Sequence, residues 1–577
     1  MKRIFILCIL LVGCKQQETV STIDFKTVFE KTNGQETATY QETISYFTNL
    51  KNTYPEISMQ TIGMTDSGKP LHIVTLNPDK EFNFENIRKN KRILLVNNGI
   101  HPGESDGIDA TMMLFRDIVQ GNIKAPKNTV LVTIPIYNIG GSLNRNSTTR
   151  TNQNGPKEYG FRGNSRNYDL NRDFIKCDTE NAKSFASIFH LVQPDVFIDN
   201  HVSNGADYQY TLTHLFTQHN KLGGTLGNYI HTQIMPELES KLKEKNWDIT
   251  PYVNVFNQVP EKGFSQFMDY PRYSTGYTTL WNTLGLMVET HMLKPYKQRV
   301  EGTYELMKSM LEIVESEGET ITKIRNTNFD YFTAGNSYPL DWDVDTTKTS
   351  TLQFKGYEGT FINSDVTGLK RLKYNRNKPF IKDVAYKNYF KPTTKVIIPK
   401  AYIIPQGWRN IINLLEINNI KTVQFKKDTT LLVEGYKIAN FNTRKTPYEG
   451  HYQHYNTQVT SSSKSISFSK GDYLITTQQK GIRYLLETLE PQAPDSFFNW
   501  NFFDTILQQK EGFSPYVWED IAHALLENDS ELKSQFENKK QTDASFSENW
   551  YLQLDWLHKH SDYYEKAHMQ YPIYRLQ

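Results

Sequence analysis

One stretch of sequence decides the class of fold, residues 92–104, RILLVNNGIHPGE. Its first six residues, with the apolar run ILLV at residues 93–96, have the length and character of a strand that is buried on both faces. Residues 106–119 then carry apolar side chains at helical spacing. A strand, a short turn and a helix are therefore predicted, with His101 and Glu104 in the turn that leaves the strand.

Further buried strands are predicted from three more apolar runs, at residues 129–135 (TVLVTIP), 195–198 (DVFI) and 284–288 (LGLMV). A helical pattern at residues 304–314 closes this part of the chain. Because strands alternate with helices, residues 23–319 are predicted to form an α/β domain with a mixed, mostly parallel central sheet flanked by helices.

The composition changes beyond residue 320, where Thr, Tyr, Lys and Asn recur and the apolar runs become short. Runs such as residues 395–398 and 401–404 predict a strand-rich accessory domain over residues 320–490, with a loop at residues 461–463 (SSS). Helical spacing then returns, as in Trp518, Ile521, Ala522 and Leu525. Residues 491–577 are therefore predicted to form a small helical C-terminal segment.

The charge balance argues against a nucleic-acid partner. The 65 Lys and Arg residues nearly cancel the 63 Asp and Glu residues, which leaves a formal net charge of +2. Proteins that bind nucleic acid usually carry a clear basic patch or excess. No nucleic acid is therefore expected among the partners.

The first residues of the sequence predict a lipid anchor. A short basic start precedes an apolar run at residues 4–12, which has the length of a signal-peptide core and is too short to span a bilayer. The run ends in Leu11-Val12-Gly13-Cys14, which resembles the bacterial lipobox. We expect a signal peptide at residues 1–13, lipid on Cys14 and a polar tether at residues 14–22. The anchor would hold the protein on the membrane of a bacterial cell envelope, at its periplasmic face or outer surface. A secretory signal that happens to contain a cysteine is the alternative.

His101 and Glu104 are the first candidate metal ligands. An imidazole and a carboxylate three residues apart, on a turn that leaves a strand, can reach one zinc ion. His201 follows the apolar run at residues 195–198, so we expect it at the same carboxyl edge of the sheet, where open α/β sheets bind ligands. Two nitrogens and one carboxylate leave one position of a tetrahedral zinc ion open, which is the composition of a catalytic site.

Glu289 follows the apolar run at residues 284–288 and is the candidate general base. A buried carboxylate in such a setting needs a partner, and a water molecule beside the metal supplies one. Glu289 is therefore expected to take a proton from water and to pass it to the leaving amine. Pairing of Glu289 with Lys294 or Arg299 is the structural alternative.

Residues 168–173, YDLNRD, carry groups suited to a substrate with a carboxylate. Asn171 and Arg172 could grip that carboxylate, the arginine through both arms of its guanidinium. Asp169 could accept a hydrogen bond from the outer nitrogen of a zinc-binding histidine and so fix its tautomer. For Arg172, an ion pair that only stabilises the fold is the alternative.

Taken in order, these motifs resemble those of the zinc carboxypeptidase family, of the carboxypeptidase A and B type. His-x-x-Glu, Asp-x-Asn-Arg, a later His after a strand and a Glu on the last catalytic strand follow the family's order over residues 40–315. The chain is also similar to larger bacterial members that have an added domain. The resemblance implies one zinc ion per chain, a catalytic base and a clamp on the C-terminal carboxylate of a peptide substrate. The resemblance assigns His101, Glu104 and His201 to the zinc ion and Glu289 to the catalytic base. It assigns Asn171 and Arg172 to the carboxylate clamp, with Asp169 behind His101.

The resemblance implies two further roles. An arginine that stabilises the developing oxyanion is expected upstream of the Asn-Arg pair, where Arg145, Arg150, Arg162 and Arg166 compete. Arg150 is preferred, because its segment follows the turn at residues 138–141 as the family arginine follows Asn-Pro-Asp-Gly. For the tyrosine that lies over the substrate, Tyr277 is preferred to Tyr273.

Three functions are consistent with these residues. The leading hypothesis is a zinc metallocarboxypeptidase that hydrolyses C-terminal peptide bonds. The alternative enzyme is a zinc amidohydrolase that acts on an N-acyl amino acid or a peptidoglycan stem peptide and need not recognise the C-terminus of a peptide. The third is an inactive lipid-anchored protein that binds peptide or glycan. The carboxylate of Glu289 argues against this third function, because a binding protein needs no base there.

Overall fold

The computed structural model describes residues 24–577. The expected signal peptide at residues 1–13, the lipidated Cys14 and the tether at residues 14–22 lie outside the described residues. Of the helices within residues 24–577, none is both long enough and apolar enough to cross a membrane.

The strands of the first domain are β1 (Ile57–Met64), β2 (Pro70–Leu76), β3 (Arg92–Asn97), β4 (Thr129–Ile134), β5 (Val196–Ser203), β6 (Leu212–Phe216), β7 (Ile249–Pro251), β8 (Phe264–Ser265) and β9 (Leu284–His291). All except β8 form one mixed sheet, in the order β1-β2-β4-β3-β5-β9-β6-β7. Within it β3 is parallel to β4 and β5, and β5 is parallel to β9, whereas β6 is antiparallel to β9. The predicted α/β class with a mixed, mostly parallel central sheet is confirmed.

The helices of the first domain are α1 (Val28–Lys31), α2 (Tyr40–Thr53), α3 (Phe84–Asn90), α4 (Asp106–Val119), α5 (Ile139–Leu143), α6 (Glu180–Val192), α7 (His219–Leu222), α8 (Gly224–Tyr229), α9 (Met235–Glu244), α10 (Ser274–Thr279) and α11 (Tyr296–Phe329). The apolar spacing predicts α4 with the bounds that the structure has. The Asp106 carboxylate lies in the first turn of α4, where an acidic group is stabilising, and it pairs with Arg299 of α11 at 3.0 Å.

The three central strands bring the polar side chains of the predicted site together. In the sheet, Asn97 of β3 is the partner of Asp199 of β5, and His201 of β5 is the partner of Glu289 of β9. Because these strands are parallel, their carboxyl ends meet at one edge of the sheet. The turn between β3 and α4 carries His101 to the same edge.

The accessory domain contains the strands β10 (Ser337–Val344), β11 (Ser350–Asn363), β12 (Lys370–Lys387), β13 (Phe390–Ile397), β14 (Ala401–Ile404), β15 (Val423–Gln424), β16 (Thr429–Thr443), β17 (His454–Phe468), β18 (Tyr473–Thr476) and β19 (Gln570–Leu576). Six of these strands form a sheet in the order β15-β18-β14-β19-β16-β17. The remaining helices are α12 (Arg409–Ile417), α13 (Ile482–Leu489), α14 (Pro515–Asn528), α15 (Ser530–Thr542), α16 (Ala544–Ser547) and α17 (Trp550–Lys559). The strand-rich region that was predicted after the first domain is therefore present.

The second half of the chain differs from its sequence prediction in three places. Residues 461–463 lie inside β17 and pair with β16 instead of forming a loop, because their serine side chains face solvent on an exposed hairpin. The segment 491–577 is not purely helical, since its last strand, β19, lies between β14 and β16 in the sheet. The boundary expected at residues 319–320 falls within the single helix α11.

The hydrophobic core is continuous from the first domain into the accessory domain. One cluster of buried side chains contains Leu94 of β3 and Tyr277 of α10 together with Ile411 of α12, Leu485 of α13 and Tyr571 of β19. The helices α14–α17 have a separate core built around Trp518 and Leu557. The accessory domain therefore shares one hydrophobic core with the first domain.

Candidate active site

Three side chains at the carboxyl edge of the sheet form a cluster that could hold a metal ion. One ligand atom from each of His101, Glu104 and His201 lies within 4.8 Å of the other two, and all three side chains are buried. His201 Nδ1 lies 3.2 Å from His101 Nδ1 and 3.0 Å from the Glu104 carboxylate. Among the described residues, this is the one cluster of His, Cys, Asp or Glu with such a geometry.

Each histidine of the cluster is held by a carboxylate on its outer side. His101 Nε2 lies 2.9 Å from Asp169 Oδ1, and His201 Nε2 lies 2.8 Å from Asp199 Oδ2. A carboxylate accepts the N–H of its imidazole, so both Nδ1 atoms present lone pairs. Two lone pairs 3.2 Å apart, beside a buried carboxylate, repel each other unless a cation or a proton lies between them.

The pKa shifts of His201 and Glu104 also favour positive charge within the cluster. Burial would lower the pKa of His201, but the carboxylates of Asp199 and Glu104 raise it well above its ordinary value. Burial would likewise raise the pKa of Glu104, but the charges of His101 and Arg150 hold it well below its usual range. The donor set of two imidazoles and one carboxylate, each imidazole held by an outer carboxylate, fits a zinc ion.

The Glu289 carboxylate lies at the end of β9 and lines the same cavity as the cluster. Its neighbour in the sheet is His201, so the carboxylate lies beside a candidate metal ligand without belonging to the cluster itself. Burial raises the pKa of Glu289 to about 8, against the opposing charge of His201. Neither Lys294 nor Arg299, the partners that a structural role would need, forms an ion pair with Glu289 in the described residues.

Of the four candidate oxyanion arginines, the structure brings two to the cavity. Arg150 Nη2 lies 3.0 Å from the Glu104 carboxylate, and Arg162 Nη1 lies 3.5 Å from the same oxygen. Arg150 reaches this position over the backbone of Gly103, where a Cβ atom would lie 2.4 Å from the arginine Cδ. Arg145 and Arg166 do not line the cavity. The preference for Arg150 stays a prediction, with Arg162 as the nearest competitor.

The predicted carboxylate clamp also lines the cavity. The Asn171 side-chain oxygen accepts a hydrogen bond from the backbone N–H of Ser274 at 3.1 Å, which leaves the amide nitrogen available to a ligand. The guanidinium of Arg172 lies over the ring of Tyr273, 4.6 Å from its centroid. Arg172 Nη1 donates to the backbone oxygen of Asn171 at 2.8 Å, and its nearest carboxylate, Asp169, is 3.8 Å away. Arg172 is therefore held in place without a close carboxylate partner.

The structure corrects the choice of tyrosine. Tyr277 is completely buried, and its hydroxyl donates to Asn418 at 2.6 Å and contacts His190 at 3.2 Å. The reason is that α10 runs from the cavity into the core, so a residue one turn along the helix no longer faces the cavity. Tyr273, at the start of α10, lines the cavity instead.

Three further side chains belong to the site, and the sequence prediction missed them. Asp199 holds the His201 ring. It lies two residues before His201 on β5, so both side chains are on the same face of the strand, and this spacing could have indicated the contact. Tyr252 lines the cavity, and burial together with the charge of Glu289 raises its pKa well above the ordinary value. Glu449 comes from the accessory domain, and no motif marks either Tyr252 or Glu449.

The tip of the β16–β17 hairpin reaches the carboxylate clamp. The Glu449 carboxylate accepts a hydrogen bond from the backbone N–H of Asp169 at 2.9 Å. Next to it, Gly450 packs so closely on Tyr168 that a Cβ atom would lie 2.5 Å from the tyrosine hydroxyl. His451 Nε2 lies 2.7 Å from Asp178. The accessory domain therefore fixes the segment that carries Asp169, Asn171 and Arg172.

His101, Glu104, His201, Glu289, Asn171 and Arg172 line one open cavity of about 390 Å³. Its wall contains the candidate metal cluster, the Glu289 carboxylate and the arginines Arg150, Arg162 and Arg172. A cavity of this size accommodates one or two amino-acid side chains of a ligand. Its excess of positive charge suits a ligand with a carboxylate.

Comparison with known proteins gives one family and several relatives. Residues 43–195 match the family model described as zinc carboxypeptidase, which includes His101, Glu104 and the Asp169–Arg172 segment but ends before His201 and Glu289. Carboxypeptidase 2 of Trichophyton rubrum is 22% identical over 442 residues, which are 72% of this chain and 74% of that protein. Carboxypeptidase 2 of Trichophyton tonsurans is 31% identical over 101 residues, 17% of this chain and 18% of that protein.

Solved structures give distant likenesses. The carboxypeptidase A from Helicoverpa armigera has 12% identity and a TM-score of 0.38, covering 53% of this chain and 78% of that one. A metallo-carboxypeptidase from Burkholderia cenocepacia has 15% identity and a TM-score of 0.34, covering 49% of this chain and 69% of that one.

Proposed function

We propose that this chain, whose residues 43–195 match the zinc carboxypeptidase family model, is a peptide hydrolase that releases the C-terminal residue of a peptide. The reaction would use a zinc ion bound by His101, Glu104 and His201. The observation that carries the proposal is that this cluster, the Glu289 carboxylate and Arg172, whose nearest carboxylate is 3.8 Å away, line one cavity. Each of the three serves a different part of the reaction.

The residues of the cavity have different roles in hydrolysis. A zinc ion bound to the cluster would polarise the scissile carbonyl and make a nearby water molecule more acidic. Glu289 accepts the proton of the attacking water and donates it to the leaving amine, a role for which a raised pKa is suited. Arg150, which lines the same cavity, would stabilise the negative charge that develops on the carbonyl oxygen.

Asn171 and Arg172 determine which peptide bond of the substrate is cleaved. A free C-terminal carboxylate can accept both arms of the Arg172 guanidinium and a hydrogen bond from the Asn171 amide. The cation–π contact with Tyr273 holds the guanidinium in place before the substrate arrives. Cleavage would then occur one residue from the end of the peptide.

Arg172→Met should slow hydrolysis of free-acid peptides while it removes most of the preference for a free acid over a C-terminal amide. Loss of one partner of a desolvated charge pair costs roughly 2–5 kcal/mol, or about thirty- to several-thousand-fold in kcat/KM. Amidation of the substrate removes the same pair from the other side, so the two losses should not add. The measurement is kcat/KM for matched free-acid and amidated peptides with both enzymes.

Arg166→Met is the matched control for this cycle. Arg166 lies on the same segment but does not line the cavity, and it donates instead to the backbone oxygen of Asp178. This variant should keep the full preference for free acids. A parent enzyme that cleaves amidated and free peptides equally well would contradict carboxypeptidase activity and favour the zinc amidohydrolase.

Glu449→Ala should raise KM for peptides by about tenfold, with a smaller change in kcat. A hydrogen bond to a charged acceptor contributes roughly 1.5–3 kcal/mol, and its loss frees the segment that carries the carboxylate clamp. Glu449→Gln keeps an acceptor for the Asp169 N–H and should restore most of the parent KM. Equal KM values in parent and alanine variant would show that the hairpin tip does not position the clamp.

The location of the enzyme is a separate proposal, supported by the Leu11-Val12-Gly13-Cys14 motif. Lipid on Cys14 would hold the catalytic domain at a membrane of a bacterial cell envelope. Cys14→Ala should move the protein from the membrane fraction to the soluble fraction of the cells. An unchanged distribution, with cleavage after another residue, would favour a secretory signal without a lipid.

A further inference from the structure

A second cavity lies between the two domains, at the edge of the central sheet opposite to the active site. Arg92 begins β3, and Asp195 and Thr283 directly precede β5 and β9, so the cavity lies at the amino ends of the strands that carry the catalytic groups. Its volume is about 640 Å³, a size typical of small-molecule sites. It shares no lining residue with the active-site cavity. It is therefore a separate site.

Cationic side chains dominate the lining of this cavity. Six line it, against the single carboxylate of Asp195, and they are Arg88, Lys91, Arg92, Arg325, Lys421 and Lys480. Arg325 pairs with Asp195 at 2.6 Å, and Lys91 pairs with Asp79 at 2.6 Å. No carboxylate of residues 24–577 lies within 4.0 Å of the other four. The cavity therefore contains four uncompensated positive charges.

The two unpaired arginines are fixed in place by backbone oxygens. Arg88 Nη1 donates to the carbonyl of Leu191 at 2.7 Å, at the end of α6. Arg92 Nε donates to the carbonyl of Gly318 in α11 at 3.1 Å. Each guanidinium keeps further N–H groups that have no acceptor among the described residues. An arginine held in this way loses little conformational entropy when it binds an anion.

The two lysines without a carboxylate partner, Lys421 and Lys480, come from the accessory domain. Burial, and then the charges of Arg325 and Arg88, lower the pKa of Lys480. Its ammonium group lies 5.7 Å from the centroid of the Phe329 ring, so an apolar surface is available beside the cations. Like charges gathered around a cavity repel each other, and a bound anion would remove that repulsion.

We propose that this cavity binds a small organic anion that carries at least two phosphate, sulfate or carboxylate groups. A single acidic group would compensate one of four charges, whereas a polyanion can contact both arginines and both lysines. The Phe329 ring suits the carbon skeleton of an organic ligand. The site does not depend on the peptidase reaction, because its residues lie outside the catalytic cavity.

The test is isothermal titration calorimetry of the full-length protein with a naphthalene trisulfonate, an organic trianion that does not chelate zinc as polyphosphates do. One-to-one binding is expected, and a naphthalene monosulfonate of the same ring should bind at least about tenfold more weakly, because the attraction depends on charge. The double variant Lys421→Gln/Lys480→Gln should lose about tenfold or more in trisulfonate affinity while its peptidase activity stays unchanged. Both lysines are exposed, so the fold should tolerate the substitutions.

Two control variants show whether the probe binds in this cavity. Lys426→Gln removes an exposed lysine of the same domain that lines neither cavity, and it should leave the affinity unchanged. Arg172→Met should also leave the affinity unchanged, and a loss of affinity in that variant would place the probe in the active site instead. Equal affinity for the monosulfonate and the trisulfonate, or full affinity in the double lysine variant, would overturn the proposal.

Discussion

His201→Ala should release the bound metal and reduce peptide hydrolysis to background. The imidazole supplies one of three ligands, and its Nδ1 atom lies within 3.2 Å of His101 Nδ1 and 3.0 Å of the Glu104 carboxylate. Without it, a zinc ion would be left with two protein ligands, one fewer than catalytic zinc sites use. The loss of zinc should also remove the polarisation of the carbonyl, so occupancy and activity should fall together. Elemental analysis of the purified variant, together with its hydrolysis rate, measures both.

His214→Ala is the matched control for the metal prediction. His214 is a buried histidine on β6, the strand that pairs antiparallel with β9. Its ring pairs with Glu239 at 2.7 Å, and it lies outside the cluster. This variant should keep its zinc even if its stability falls. Full zinc content in His201→Ala would mean that the third ligand lies elsewhere.

The strands β3, β4, β5 and β9 of the first domain were predictable because they are buried on both faces. A parallel strand that is covered on both sides is apolar along most of its length, so runs such as residues 93–96 stand out in the sequence. Polar residues directly after such runs lie at the carboxyl edge of the sheet, which is why the sequence alone could group His101, His201 and Glu289 in one site. The accessory domain lacks this signal, because its long hairpins are exposed and the serines at residues 461–463 can lie in a strand.

The parts of the site that escaped prediction come from loops and from the other domain. Tyr273 and Tyr277 are four residues apart, and only the direction of α10 shows that Tyr273 lines the cavity while Tyr277 lies in the core. Arg150 and Arg162 come from one irregular segment, so sequence spacing could not rank them. Glu449 reaches Asp169 across 280 residues of sequence, and such a contact follows only from tertiary packing.

Glu289→Gln should lower kcat by about 10²–10⁴-fold while zinc content and folding stay close to those of the parent. This is the range of the contribution made by a general base. The substitution keeps the shape of the side chain but removes its ability to accept a proton. Because Glu289 lies outside the metal cluster, activity and zinc occupancy should separate, in contrast to His201→Ala. A parallel loss of zinc and activity would instead make Glu289 a ligand.

The pH dependence of the same pair of enzymes gives the sharper test of the base. The carboxylate must be deprotonated to act, so kcat/KM of the parent should rise with pH as Glu289 loses its proton. Burial raises the pKa of this carboxyl to about 8, and the charge of a nearby dication lowers it, so the rise should lie below about pH 8. In Glu289→Gln the residual activity should lack this rise, since glutamine does not titrate. Persistence of the same acid limb in the variant would assign the titration to another group and remove Glu289 from the role of base.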